Sequence, residues 1–177
     1  MITEDEHHKE VYAHFGLAIY LAQCIEYGIV NAISLYDLIP NRRQMFTDKT
    51  IWSNEVDRFF DEKFDLTMGQ LIRILEQKKN LPSELSRSLA QSLKLRNTLI
   101  HSFFCNRIML MATESGRNDL INELSAAQEL FIRTDKMIEK EIEPVMRQYG
   151  ITQEMVEKHL AEMRFLFHAE KDFSDKN

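Results

Sequence analysis

Apolar residues recur at intervals of three and four along most of the chain, the spacing that gathers them on one side of an α-helix. Thr3-x-x-Glu6 has the form of a capping box, and the apolar pattern behind it runs unbroken to Ile39, where Pro40 is expected to stop the first helix. A loop over Pro40 to Lys49 leads into a short helix from about Thr50 to Lys63, with Trp52, Val56, Phe59 and Phe60 on one side. Thr67-Met68-Gly69-Gln70 repeats the cap and opens a third helix to about Lys79, which Asn80-Leu81-Pro82 breaks. Pro82 starts a long fourth helix to about Ala112. After a turn at Glu114 to Asn118, a fifth helix runs from about Asp119 to Tyr149, bent at Pro144 and ended by Gly150. Thr152 caps a last helix to about Lys171, in which Met155, Leu160, Met163 and Phe167 alternate with charges, and the residues beyond are expected to fray. The pattern predicts an all-α fold, an up-and-down bundle of five to six helices with two or three long ones. Residues 1–150 form the bundle; 151–177 form a C-terminal helix packed on the same domain or used as an arm.

Composition agrees. Only 5 Gly and 3 Pro among 177 residues leave little turn material for a sandwich, a barrel or a Gly-cradled phosphate fold. No apolar run is expected to reach the length of a membrane span, and the acidic start Met1-Ile2-Thr3-Glu4-Asp5-Glu6 is unlike a signal peptide, so a soluble, cytoplasmic chain with no membrane partner is expected. Cys24 and Cys105 lie in apolar stretches without metal spacing and read as reduced core thiols. The formal net charge of −6 argues mildly against a nucleic-acid partner. The distribution is uneven, however: Leu85 to Thr113 holds no Asp or Glu but carries Arg87, Lys94, Arg96 and Arg107. Such a basic seam can accept an anion locally; the alternative is a buried helix that excludes carboxylates.

Projected at 100° per residue, the fourth helix has an apolar arc of Leu85, Leu89, Leu93, Leu99, Ile100 and Phe103, and Arg96 falls near its centre. On the first helix Phe15, Ile19, Ala22, Ile29, Val30 and Ile33 form a similar arc with Glu26 in the middle. A charge on a core face is costly unless paired, so Glu26 and Arg96 are expected to meet across the packing of the two helices. The alternative is that the helices are rotated and both groups snorkel to water. The first helix is also apolar on its far side, at Leu17, Leu21, Cys24, Ala32 and Leu35, which fits either a dimer contact or a central place in the monomer. His101 falls at the margin of the apolar arc, about 140° from Arg96, so one helix does not close both on a single phosphate. Two copies crossing near a twofold axis could, with Asn97 between them.

Leu95-Arg96-Asn97-Thr98-Leu99-Ile100-His101-Ser102-Phe103-Phe104 resembles the R-x4-6-H signature of the HEPN superfamily (higher eukaryote and prokaryote nucleotide-binding domains), in the form where Asn follows the Arg. The motif lies late in an apolar helix, preceded by a long first helix with a buried acid, as in HEPN bundles. The resemblance implies a metal-independent endoribonuclease without cofactors, or a module descended from one, of the kind found in toxin-antitoxin and phage-defence systems. It implies a homodimer with RNA as substrate and an antitoxin or other protein as further partner. Arg96 would stabilise the phosphate, His101 would act as general acid or base, and Asn97 would position them, with Glu26 as supporting ion pair and Lys94 and Arg107 as RNA contacts. That chemistry is physically reasonable: an imidazole can exchange protons with a ribose 2′-OH and the leaving 5′-oxygen while a guanidinium holds the added negative charge, leaving a 2′,3′-cyclic phosphate. Some members carry Tyr two residues after the His; here Phe103 stands there, so a role for that hydroxyl is unsupported. The rival reading is a non-catalytic HEPN-like bundle that dimerises and binds a protein or nucleotide.

Other groupings read as structure. His7, His8 and His14 lack metal spacing and sit at an acidic N-terminus expected to fray, His159 and His168 read as surface residues, Asp57, Asp61 and Asp65 as a solvated face, and Met109 to Met111 as adaptable packing. No metal site is expected.

Overall fold

Side-chain caps on Thr3 and Thr67 start two helices where the sequence places them. The computed structural model describes residues 3–42 and 48–174, with side chains to 164. Part of the expected loop after Pro40, the side chains of Phe167 and His168 and the expected frayed tail therefore lie outside the described residues. Every described element is helical. Helix α1 (Glu4–Ile33) begins on Thr3, whose hydroxyl accepts from Glu6 N at 3.3 Å while Thr3 N donates to Glu6 Oε2 at 2.8 Å. It does not stop before Pro40. A π-turn at Ser34–Leu38 carries it on through Ile39–Arg42, and this wider turn accommodates a ring that would otherwise clash with the preceding turn.

Asp48 caps α2 (Lys49–Phe64) by accepting from Thr50 N and Ile51 N at 2.8 and 3.0 Å. Thr67 and Gln70 form the second capping box, opening α3 (Met68–Lys78). Helix α4 (Ser83–Ser102) ends well short of Ala112: a 3₁₀ turn at Cys105–Arg107 and the short α5 (Ile108–Met111) follow it. Helix α6 (Glu114–Gln148) then starts earlier than expected, and α7 spans Gln153–Ser174. The described chain thus has seven helices rather than five to six, because the fourth stretch is divided. Gly116 makes the turn into α6 tight enough that a Cβ there would lie 2.3 Å from the Leu110 carbonyl oxygen.

The chain forms two compact units, 1–141 and 142–177, the division falling inside α6 and before Gly150. In the first unit Val11, Ile25, Ile29 and Ile33 of α1, Met68, Leu71 and Leu75 of α3, Leu89 of α4 and Leu120, Leu124, Phe131 and Ile138 of α6 make the core. In the second, Ile151 N donates to the Met146 carbonyl at 2.9 Å around Gly150, whose φ of +73° suits glycine.

Three expectations change. From Thr3 onward the N-terminal stretch is helical rather than frayed: His7 is buried, His8 Nδ1 lies 2.8 Å from the Glu4 carbonyl, and the His14 carbonyl accepts from Gln128 Nε2 at 2.8 Å, tying α1 to α6. Cys105 is exposed on the 3₁₀ turn and Cys24 is half-buried, so neither is a core thiol. By length and composition the continuous helical stretch Glu4–Arg42 is apolar enough to cross a membrane, with an 18-residue window of mean hydropathy 1.3. Helices α3, α4 and α6 pack on it, while Tyr12, Leu17, Tyr20 and Tyr27 on its other side are exposed.

Candidate functional site

Two serines set the rotation of α4. Ser88 and Ser92 are buried, and both bond the Thr134 hydroxyl of α6, at 2.6 and 3.0 Å, while that hydroxyl also lies 2.8 Å from the Leu130 carbonyl. Satisfied in this way, small polar side chains can occupy a core face. The buried face is therefore Leu85, Ser88, Leu89, Ser92, Leu99 and Phe103, turned away from the purely apolar arc, and Ile100 is left 46% exposed.

That rotation places Arg96 at the margin of the α1–α4 seam. The two charges expected to face one another do so: Arg96 Nε donates to Glu26 Oε1 at 3.1 Å, with the side chains 25% and 21% exposed. Arg96 Nη1 donates to Asn97 Oδ1 at 3.3 Å. The guanidinium is thus held by two charge-assisted hydrogen bonds, one of them to a carboxylate, in a setting that is neither core nor free solvent. Asn97 and His101 are exposed, and Lys94 is exposed on the preceding turn. Arg96 and His101 stay about 140° apart around the helix, so one copy brings together Glu26, Arg96 and Asn97 but does not close Arg96 and His101 on one point.

Arg107 makes its contacts within the chain. Its Nε donates to Glu123 Oε2 at 2.7 Å, its Nη2 to Glu123 Oε1, and its Nη1 to the Phe103 carbonyl at 3.3 Å; the guanidinium also lies 4.6 Å from the Phe103 ring centre. Each nitrogen is engaged within the chain, and Arg107 ties α6 to the end of α4.

Comparison with family models, curated proteins and solved structures gives no match for the chain. Function must be argued from these side chains.

Three features escaped the sequence reading. Phe15, Phe103 and Phe104 form a ring cluster, with centroids 4.9 to 5.7 Å apart, that carries the exposed Tyr12 edge-on to Phe104 at 5.8 Å, one turn beyond His101. Aromatic residues at 12, 15, 103 and 104 were the available signal. Arg117 is buried at the start of α6: its Nη1 donates to the Met111 carbonyl at 2.8 Å and lies 3.7 Å from Glu4 Oε1. Its place in a Gly-containing polar stretch read only as turn. Asp135 lies against Gly28, where an added Cβ would stand 3.2 Å from Oδ1, and burial, then the Glu139 carboxylate, push its carboxyl above the ordinary range. Among the described residues no cluster of His, Cys, Asp and Glu could hold a metal ion.

Proposed function

We propose that this is a HEPN-type, metal-independent endoribonuclease, with Arg96 and His101 of two copies meeting in one cleft, acting as a toxin or phage-defence effector in the cytoplasm. The observation that carries the reading is the contrast between the two groups on α4: Arg96 is oriented by Glu26 and Asn97, and His101 is open to solvent. A fixed guanidinium suits stabilisation of charge on a transferring phosphoryl group, and an accessible imidazole suits proton exchange with the ribose and the leaving oxygen. Lys94 adds a cation on the preceding turn, and the Tyr12–Phe104 edge offers a face on which an unstacked base can rest.

The second reading, a non-catalytic HEPN-like dimerising bundle that binds a protein or nucleotide, is favoured by one observation: Nε and Nη1 of Arg96 are already engaged within the chain. Purified protein incubated with total RNA in EDTA separates the two. The nuclease reading expects cleavage that His101→Ala and Arg96→Ala each abolish, with partial recovery when the two inactive variants are mixed, since a shared cleft needs one intact group from each copy. Intact RNA with the wild type, or equal cleavage by all variants, favours the second reading.

A further inference from the structure

The second unit carries an apolar row of its own. Helix α7 (Gln153–Ser174) starts afresh after Gly150, with Thr152 Oγ1 accepting from Met155 N at 3.3 Å. Met155, Leu160 and Met163 are 57%, 50% and 56% exposed. A helix of this length is marginal in water unless one face is packed, so the row calls for a cover. Val156, Leu160 and Met163 stand four and three residues apart, and the sequence continues the spacing at Phe167. That alternation is the d-a-d-a seam of a coiled coil. In this register Glu157 and Arg164 both occupy the flanking e position, and neither forms an ion pair among the described residues.

We propose that α7 pairs antiparallel with α7 of a second copy of this chain. In an antiparallel pair a positions face d positions and e faces e. Setting Leu160 opposite the partner's Met163 brings Val156 level with position 167 of the partner, and the same register leaves the partner's Arg164 within two residues of the level of Glu157. By the twofold axis, Arg164 then meets the partner's Glu157, so each contact is made twice. The charge pair is centred between Leu160 and Ala161 and the apolar layers between Ala161 and Glu162, one residue apart, an offset that side chains of this length span. A parallel pair lacks this agreement: its flanking contacts would set His159 against the partner's Arg164 and leave Glu157 facing the partner's Thr152. The occupant chosen by both apolar spacing and charge is therefore a second copy.

This inference does not rest on the nuclease reading, and its test is read in molecular mass rather than RNA cleavage. The full chain is followed by analytical ultracentrifugation over a concentration series at low salt. The wild type is expected to dimerise reversibly. Glu157→Arg and Arg164→Glu should each weaken the dimer roughly ten-fold, because each places two like-charge contacts in the pair. The combined Glu157→Arg, Arg164→Glu variant should return to within about three-fold of wild type, because the exchanged charges pair again, with unchanged helicity by circular dichroism. A wild type that stays monomeric, a dimer indifferent to the single variants, or a double variant that does not recover would overturn the proposal.

Discussion

Arg96 and Glu26 show how far a single residue can be read. A projection of α1 and α4 is enough to set the two charges opposite one another, because a guanidinium that cannot be neutralised must find a partner near an apolar seam. It does not give the depth of the pair, which Ser88 and Ser92 decide by taking the core face through Thr134. With about a quarter of each side chain still exposed, Glu26→Ala is expected to lower stability by about 1–2 kcal/mol, between a surface pair and a fully buried one. Urea denaturation measures this, and no loss would mean the contact is energetically idle. Asp135 supplies the opposite case, a half-buried carboxylate that no apolar pattern reveals. Burial and Glu139 raise its folded pKa above the unfolded value, so the unfolded chain releases its proton first as pH rises. Stability therefore falls with pH between the unfolded and folded values. Asp135→Asn is expected to raise Tm at pH 7 and to leave it unchanged at pH 3, where both states are protonated; an equal effect at both would contradict the assignment.

At the scale of elements, starts were more legible than stops. Thr3, Thr67 and Pro82 each announce a helix by local chemistry. The end of α4 at Ser102 has no such sign, since neither Gly nor Pro falls between Ser102 and Ala112. What accompanies it is tertiary: Phe103 and Phe104 turn into Phe15, and Arg107 reaches back to the Phe103 carbonyl while gripping Glu123. Pro40 misled in the other direction, because a π-turn ahead of it lets α1 continue. The join between α4 and α6 was equally hidden, since serines on a helix ordinarily read as its wet side. Thr134→Val tests that join. It leaves Ser88 and Ser92 buried without their partner, and a cost of about 2–4 kcal/mol is expected from two unmet hydroxyls. Thr134→Ser should cost markedly less, and equal losses in thermal denaturation would show that packing of the methyl, not the hydroxyl network, holds α4 in place.

For the whole molecule, helical periodicity and the scarcity of Gly and Pro made the all-α class legible, while the division into units at 141/142 was not, because it falls within the continuous helix α6. The first unit holds an oriented guanidinium and an exposed imidazole on α4; the second holds exposed apolar residues on α7. In the proposed account the two roles are separate: α7 brings copies together, and α4 contributes the reacting groups. Charge also reads differently at this scale, since the net −6 that argued against RNA belongs to a chain whose α4 carries no acid between Leu85 and Ser102. The claim most open to a direct check is the chemistry of that helix. A labelled single-stranded RNA is incubated with the protein in EDTA, and its fragments are examined for their 3′ ends. The account predicts 2′,3′-cyclic phosphates from the wild type and uncut RNA with His101→Ala; uncut RNA with both, or fragments ending in 3′-hydroxyls, would contradict it.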